Sequence, residues 1–159
     1  VCSGYGFADS LSASASGRPI LLVGDALSNE QKAFLKGISS RRYIIIGGYR
    51  TISSTTEGWL KSMGNTARVF GADRYETSVA IAKYFFNKPN SVVLSYGDNF
   101  PDGLCGGVLA ERRGAPMILI NENNLDYARG YVKANSIKDL LVLGGSRLIT
   151  DTAISIIGD

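Results

Sequence analysis

Short apolar runs alternate with polar or amphipathic segments along the whole chain, which predicts strands and helices in turn. SVVLSY at 91–96 is apolar and β-branched, as a buried strand requires. PMILI (116–120) and DLLVLGG (139–145) predict two further strands. Between them, Gly103 to Arg113 reads as a helix capped by Asp102 and stopped by Gly114. Residues 124–134 predict a polar, weakly amphipathic helix, and Thr150 can cap a last one running through Ile157. The N-terminal part repeats this order: Val1–Ser3, a helix at 10–16, PILLV, a helix from Asn29 to Lys36, YIII, and a helix at 55–63. Ser28 with Gln31 and Ser54 with Glu57 have capping-box spacing. Between the two series, ARVF (67–70) predicts a strand and Asp73 with Glu76 a third capping box. Val79, Ala82 and Phe86 then share one face of a helix. Strands apolar on both faces, alternating with helices, predict an α/β fold of tandem Rossmann-like units with parallel sheets covered by helices.

The two series are related residue by residue. FAD at 7–9 matches FPD at 100–102, an offset of 93; GRPILLV at 17–23 matches GAPMILI at 114–120, and IIIGGYRTIS at 44–53 matches LVLGGSRLIT at 141–150, both at an offset of 97. The extra four residues fall between Asp102 and Gly114 and amount to about one helical turn, so the first copy carries the same helix one turn shorter. The cut between units falls near residue 65: a partial unit at 1–65, lacking an opening strand–helix block, and a nearly complete one at 66–159.

Composition narrows the chemistry. The chain has 159 residues, 45% hydrophobic and 19% charged, enough to build a core and too little charge for disorder. No apolar run reaches the roughly 18–20 residues that span a bilayer, so no membrane insertion is expected. VCSGYGFADS contains no basic segment followed by an apolar stretch, so no signal peptide is expected within this piece. Histidine is absent, which excludes Ser-His-Asp and Cys-His catalysis and imidazole zinc sites. Cys2 and Cys105 form no CxxC pair, and no metal or other cofactor is expected; they read as two small buried hydrophobes, with a single disulfide as the alternative. Net charge is +3; residues 1–65 hold 7 Lys+Arg against 4 Asp+Glu, and residues 66–159 hold 10 of each. This mild, dispersed excess predicts no nucleic-acid partner but allows a weakly basic face toward an anionic polymer.

Ligands of open parallel sheets sit beyond the C-terminal strand ends. Those ends carry Gly4–Gly6, Gly47-Gly48, Gly71–Arg74, Gly97–Asn99 and Gly144-Gly145, without a GxGxxG or Walker lysine motif. Tight strand-to-helix turns account for most of these glycines. Asp9 and Asp102 occupy equivalent places, as do Arg50 and Arg147, and repetition favours helix capping over chemistry for the aspartates. Arg74 opposes the helix dipole in the first turn of its helix and reads either as a ligand anchor beside Tyr75 or as a local ion pair with Asp73 or Glu76. Trp59 aligns with Ile156, so it reads as core or interface cover rather than a sugar platform.

The blocks R-x-x-G-x-x-R-Y-E-T (Arg68, Gly71, Arg74, Tyr75, Glu76, Thr77), G-x-x-F-P-D-x-L (Gly97, Phe100, Pro101, Asp102, Leu104), G-A-P-x-I-L (Gly114, Ala115, Pro116, Ile118, Leu119) and the closing Gly144-Gly145 resemble the type-two cell-wall-binding repeat of Gram-positive surface proteins. The resemblance is close over 66–159 and looser over 1–65, where Ala8 stands in place of the family's proline. It implies a non-catalytic, extracellular module, usually three repeats in tandem beside an effector region. Such modules assemble as trimers and hold a surface protein to an anionic wall polysaccharide. Arg74, Tyr75, Arg50, Arg147, Asp102 and Gly97 are the candidate ligand-binding residues. The competing expectations are an enzyme for a phosphorylated or sugar substrate using Asp98 or Asp102 with Arg74, and an oligomerisation scaffold using Trp59 and the apolar loops at the strand ends.

Overall fold

A computed structural model describes residues 1–38 and 42–159. Its elements run β1 (Cys2–Ser3), α1 (Ala8–Ser14), β2 (Leu22–Val23), α2 (Asn29–Gly37), β3 (Arg42–Ile46), α3 (Ser54–Met63), β4 (Asn65–Val69) and α4 (Arg74–Phe85). They continue β5 (Ser91–Tyr96), α5 (Pro101–Leu104), α6 (Gly106–Arg112), β6 (Met117–Ile120), α7 (Asp126–Asn135), β7 (Asp139–Leu143) and α8 (Asp151–Gly158). Strand pairing is parallel in every ladder. The pairs β1–β2 and β3–β4 are joined where Ile46 N donates to Val1 O at 2.9 Å, and β5 lies between β6 and β7. β7 begins and ends 97 residues after β3, so Arg42 corresponds to Asp139 and Ile46 to Leu143.

Local chemistry explains most helix starts. Ser28 and Gln31 exchange both bonds of a capping box, at 3.2 and 3.0 Å. Asp73 Oδ1 accepts from Tyr75 N and Glu76 N, while Glu76 Oε2 accepts from Ala72 N rather than from the cap residue's own N–H. Thr150 caps α8 through Ala153 N. Other expectations change. Ser53, not Ser54, caps α3, which frees Glu57 for another partner. Asp9 and Asp102 lie inside the first turns of α1 and α5 and cap neither. The helix expected over 103–113 is broken at Cys105, and its extra turn is present relative to α1. Both cysteines are free; Cys2 is buried as expected, but Cys105 is exposed on the outer side of that break.

The two sheets are locked together by helices that serve both. From α1, Ala13 packs with Cys2 and Ile46 of the first sheet, whereas Leu11 and Ala15 pack with Val93, Met117 and Leu119 of the second. From α4, Ile81 joins Cys2, Ala13, Ile46 and Val69, while Val79 and Ala82 join Val92, Leu94, Ile118 and Ile120. The block expected to open the second unit thus lends its strand to the first sheet and its helix to both. Gly103 makes the close approach of α1 feasible, since a Cβ there would lie 2.6 Å from Leu11 Cδ2.

The double glycines after β3 and β7 have a geometric role. Gly47 has φ +117° and Gly144 φ +132°, values that L side chains rarely adopt. A Cβ on Gly47 would sit 2.9 Å from Asp9 Oδ2 and 3.2 Å from Thr51 Cβ; on Gly144 it would sit 3.1 Å from Asp102 Oδ2. Each repeated aspartate therefore packs against its own glycine turn, which explains their recurrence better than capping does. Gly47→Ala is expected to cost about 1–3 kcal/mol from backbone strain, read as a lowered urea midpoint with an unchanged slope.

Candidate functional site

The C-terminal ends of β1, β3 and β4 open onto one groove of about 520 Å³. One wall comes from the turns after β1 and β3: Ser3, Gly6, Asp9, Gly48, Tyr49 and Arg50. The other comes from the β4–α4 turn, including Phe70, Asp73 and Arg74. Tyr49 and Phe70 are both exposed and meet edge to face, with ring centroids 6.2 Å apart.

Each wall is held from behind. Arg68 Nε and Nη2 donate to Glu57 Oε2 at 3.0 and 2.9 Å, and Nη1 donates to Gly47 O at 2.8 Å. Its guanidinium carbon lies 4.2 Å from the Tyr49 ring centroid, so one buried cation positions both the glycine turn and the aromatic rim. Arg74 Nη1 donates to Gly97 O at 2.7 Å, and the guanidinium rests over the Phe7 ring. The Asp73 and Glu76 carboxylates accept backbone N–H groups, so the local ion-pair reading of Arg74 gives way to a contact across the units. Burial raises the pKa of Asp9 from its ordinary value, with Arg74 opposing the shift.

The groove is accordingly not a plain basic channel: two arginines share it with two aspartates. One of those carboxyls is desolvated by burial, and the other already accepts two helix N–H groups. Arg50 and Arg74 remain exposed on opposite walls. Of the other candidates, Tyr75 is buried and its hydroxyl donates to Asp98 Oδ1, while Asn121 Nδ2 donates to both groups at 2.7 and 2.8 Å. Gly97 is also buried; its N–H bonds Ile120 O and its carbonyl serves Arg74. Tyr75 and Gly97 therefore support the wall from inside. Asp102 and Arg147 lie exposed at the corresponding strand ends of the second sheet, away from the β4–α4 turn. Trp59 packs against the core of the first sheet.

Tyr75 and Asn121 hold the Asp98 carboxyl below its usual pKa, in that order of effect, so it is tied up as an ionised acceptor. Among the described residues no group of His, Cys, Asp or Glu is placed to hold a metal ion, and no helix is long and apolar enough to cross a membrane. Sequence reading missed Tyr49 and Phe70 as groove residues, and Arg68 with Glu57 as the support behind them. The one available signal was Arg68 at the head of the R-x-x-G block.

Parallel strand ends and glycine turns around an exposed groove that sets aromatics beside arginines define a module of α/β architecture with a candidate binding face. The chain belongs to the family Cell wall binding domain 2 (CWB2), whose description matches residues 1–57 and 68–154. It is 30% identical over 159 residues to the N-acetylmuramoyl-L-alanine amidase LytC of Bacillus subtilis (strain 168), covering 96% of this chain and 32% of that protein. It is also 30% identical over 129 residues to the Amidase enhancer of the same organism, covering 80% of this chain and 17% of that protein. Among solved structures it resembles Cwp6 from Clostridium difficile (TM-score 0.82, 26% identity, 98% of this chain and 27% of that one). It also shares the fold of Cwp8 from the same organism (TM-score 0.81, 22% identity, 98% and 28%). The chain thus spans a third or less of each of these proteins. Family membership makes it a cell-wall-binding domain located at the bacterial wall or cell surface.

Proposed function

We propose that this chain is a non-catalytic anchor that holds a surface protein to an anionic wall polysaccharide through the groove at the ends of β1, β3 and β4. The observation that carries this reading is the placement of Arg50 and Arg74 on opposite walls with Tyr49 and Phe70 exposed beside them. A sugar ring offers C–H faces to the aromatics, while its phosphate or carboxylate substituents accept from the guanidiniums. Such contacts are individually weak, and a polymer carrying the same group many times adds them through effective concentration. The lack of histidine and the full engagement of Asp98 support a site that binds without turnover. Self-association with like repeats, in the trimeric arrangement implied by the resemblance, belongs to the same reading.

The test is retention on purified cell wall. Binding is expected to fall steeply between low salt and about 1 M, where the Debye length shrinks to about 3 Å. It is also expected to vanish on walls stripped of anionic polysaccharide. Equal retention under both treatments would overturn the proposal.

A further inference from the structure

Charge is sorted between the two ends of the molecule. In a parallel α/β architecture the helices run back against the strands, so helix starts gather where strands end and helix ends gather where strands begin. Seven of the eight helices, all but α6, carry an acidic residue in the first turn, and the last turns of α2, α3, α4, α6 and α7 carry a lysine or arginine. Of the 14 acidic residues, only Glu111, Asp139 and Asp159 lie at the end where strands begin. Asp139 is already held by Arg113 at 3.4 Å, and Glu111 packs against the turn at Gly17. Helix dipoles favour this sorting within the helices. They do not call for Lys88 and Lys138, which lie in the connections leading into β5 and β7. Lys88 also holds a left-handed backbone, φ +50°, which glycine or asparagine would adopt at lower cost.

Register brings these connections together. Ser91 pairs with Asp139 and Val93 with Met117, so β5, β6 and β7 begin at one level. Arg18 rests 5.7 Å over the Phe85 ring and Arg42 Nη2 donates to the Tyr84 hydroxyl at 3.1 Å, which sets the strand starts of the first sheet against the end of α4. The result is one basic face across both sheets. Lys83, Lys88, Arg112, Lys133 and Lys138 are exposed on it, and among the described residues none of the five has a carboxylate partner. We propose that this face is a contact for a linear polyphosphodiester of the wall, held by charge and without recognition of sugar. The occupant follows from location and from the make-up of the face. At the wall or cell surface the other extended anion is a lipid surface, and holding one needs apolar side chains that insert beside the charges. The α4–β5, α6–β6 and α7–β7 connections expose no large apolar side chain. The 12 residues of α4 span about 18 Å, so the face and the groove lie more than a Debye length of about 8 Å apart and act on a polyanion separately. The inference therefore stands without the groove.

The probe is linear inorganic polyphosphate, which carries the charge and no sugar. The chain is expected to bind it at low salt and to release it by about 1 M, where charges are screened within about 3 Å. Lys88→Gln, Lys133→Gln and Lys138→Gln together should weaken binding by about tenfold or more and flatten its salt dependence, since each lost phosphate contact removes released counterions. The urea midpoint should stay unchanged, because all three side chains are exposed. A control triple with the same change in net charge, Lys32→Gln, Arg129→Gln and Arg147→Gln, should keep affinity within about twofold, because none of the three lies at the strand starts. Equal losses in the two triples would mean that net charge alone sets binding and would overturn the face, as would no binding by the unaltered chain. Binding to phosphatidylglycerol vesicles with none to polyphosphate would make the face a membrane contact and overturn the polymer. Wall retention separates this inference from the groove. If Arg50→Ala leaves retention intact while the lysine triple still loses polyphosphate, the groove reading fails and the basic face stands.

Discussion

Glu57→Ala is expected to destabilise the fold by about 3 kcal/mol or more, because it leaves a buried guanidinium without its carboxylate. The Arg68 side chain is 5% exposed, and two of its three nitrogens donate to the same Glu57 oxygen. The remaining carboxylate oxygen takes Lys61 at 2.8 Å, but Lys61 is largely in water, and that pair adds little. Urea unfolding measures the loss; a change below about 1 kcal/mol would show that Arg68 finds water instead. The pH dependence has a definite sign. Lys61 first, and then Arg68, hold the Glu57 carboxyl below its ordinary pKa, while desolvation opposes them. The unfolded chain therefore binds this proton more readily. The stabilisation is complete above the unfolded carboxylate pKa of about 4.3 and is lost as pH falls through the lower folded value. Glu57→Gln should flatten that acid limb while keeping the side chain's volume. Because Arg68 also grips Gly47 O and underlies Tyr49, either substitution should loosen the groove along with the fold.

Arg68 also shows where reading the sequence stops. Signals acting within a few residues were legible: the Ser28–Gln31 box, the Asp73 and Thr150 caps, and the stop at Gly114, at φ +61°. The central strands β5 and β6 were legible because they are buried and apolar along nearly all their length. Signals acting between distant segments were not. Asp9 meets Gly47 across 38 residues, and local spacing offered capping as the nearer explanation. Ser53 and Ser54 are chemically identical neighbours, and only the backbone decides which one precedes the helix. The double duty of α1 was hidden because Leu11, Ala13 and Ala15 look like one short apolar stripe, yet they divide between two sheets. The candidate site was legible in Arg50 and Arg74, whereas its aromatic rim needed β3 and β4 side by side.

Arg50→Ala is expected to lower affinity for the wall by about tenfold or more with stability changed by less than about 0.5 kcal/mol. The affinity loss matches one charge-assisted hydrogen bond of roughly 1.5–3 kcal/mol, and the side chain is exposed. Arg74→Ala should lose comparable affinity and about 1 kcal/mol of stability as well, since its guanidinium also bonds Gly97 O across the two units. Binding isotherms on wall fragments, paired with urea melts of the same variants, separate the two contributions. The contrast carries the argument: a ligand contact reads in affinity alone, whereas a seam contact reads in both. Arg147→Ala in this two-sheet chain is the internal control. It has the same residue type at the equivalent strand end but lacks the facing Phe70–Arg74 wall, so it should leave both measurements unchanged. Loss of affinity at Arg147 with none at Arg50 would reverse the assignment and move the site to the second sheet.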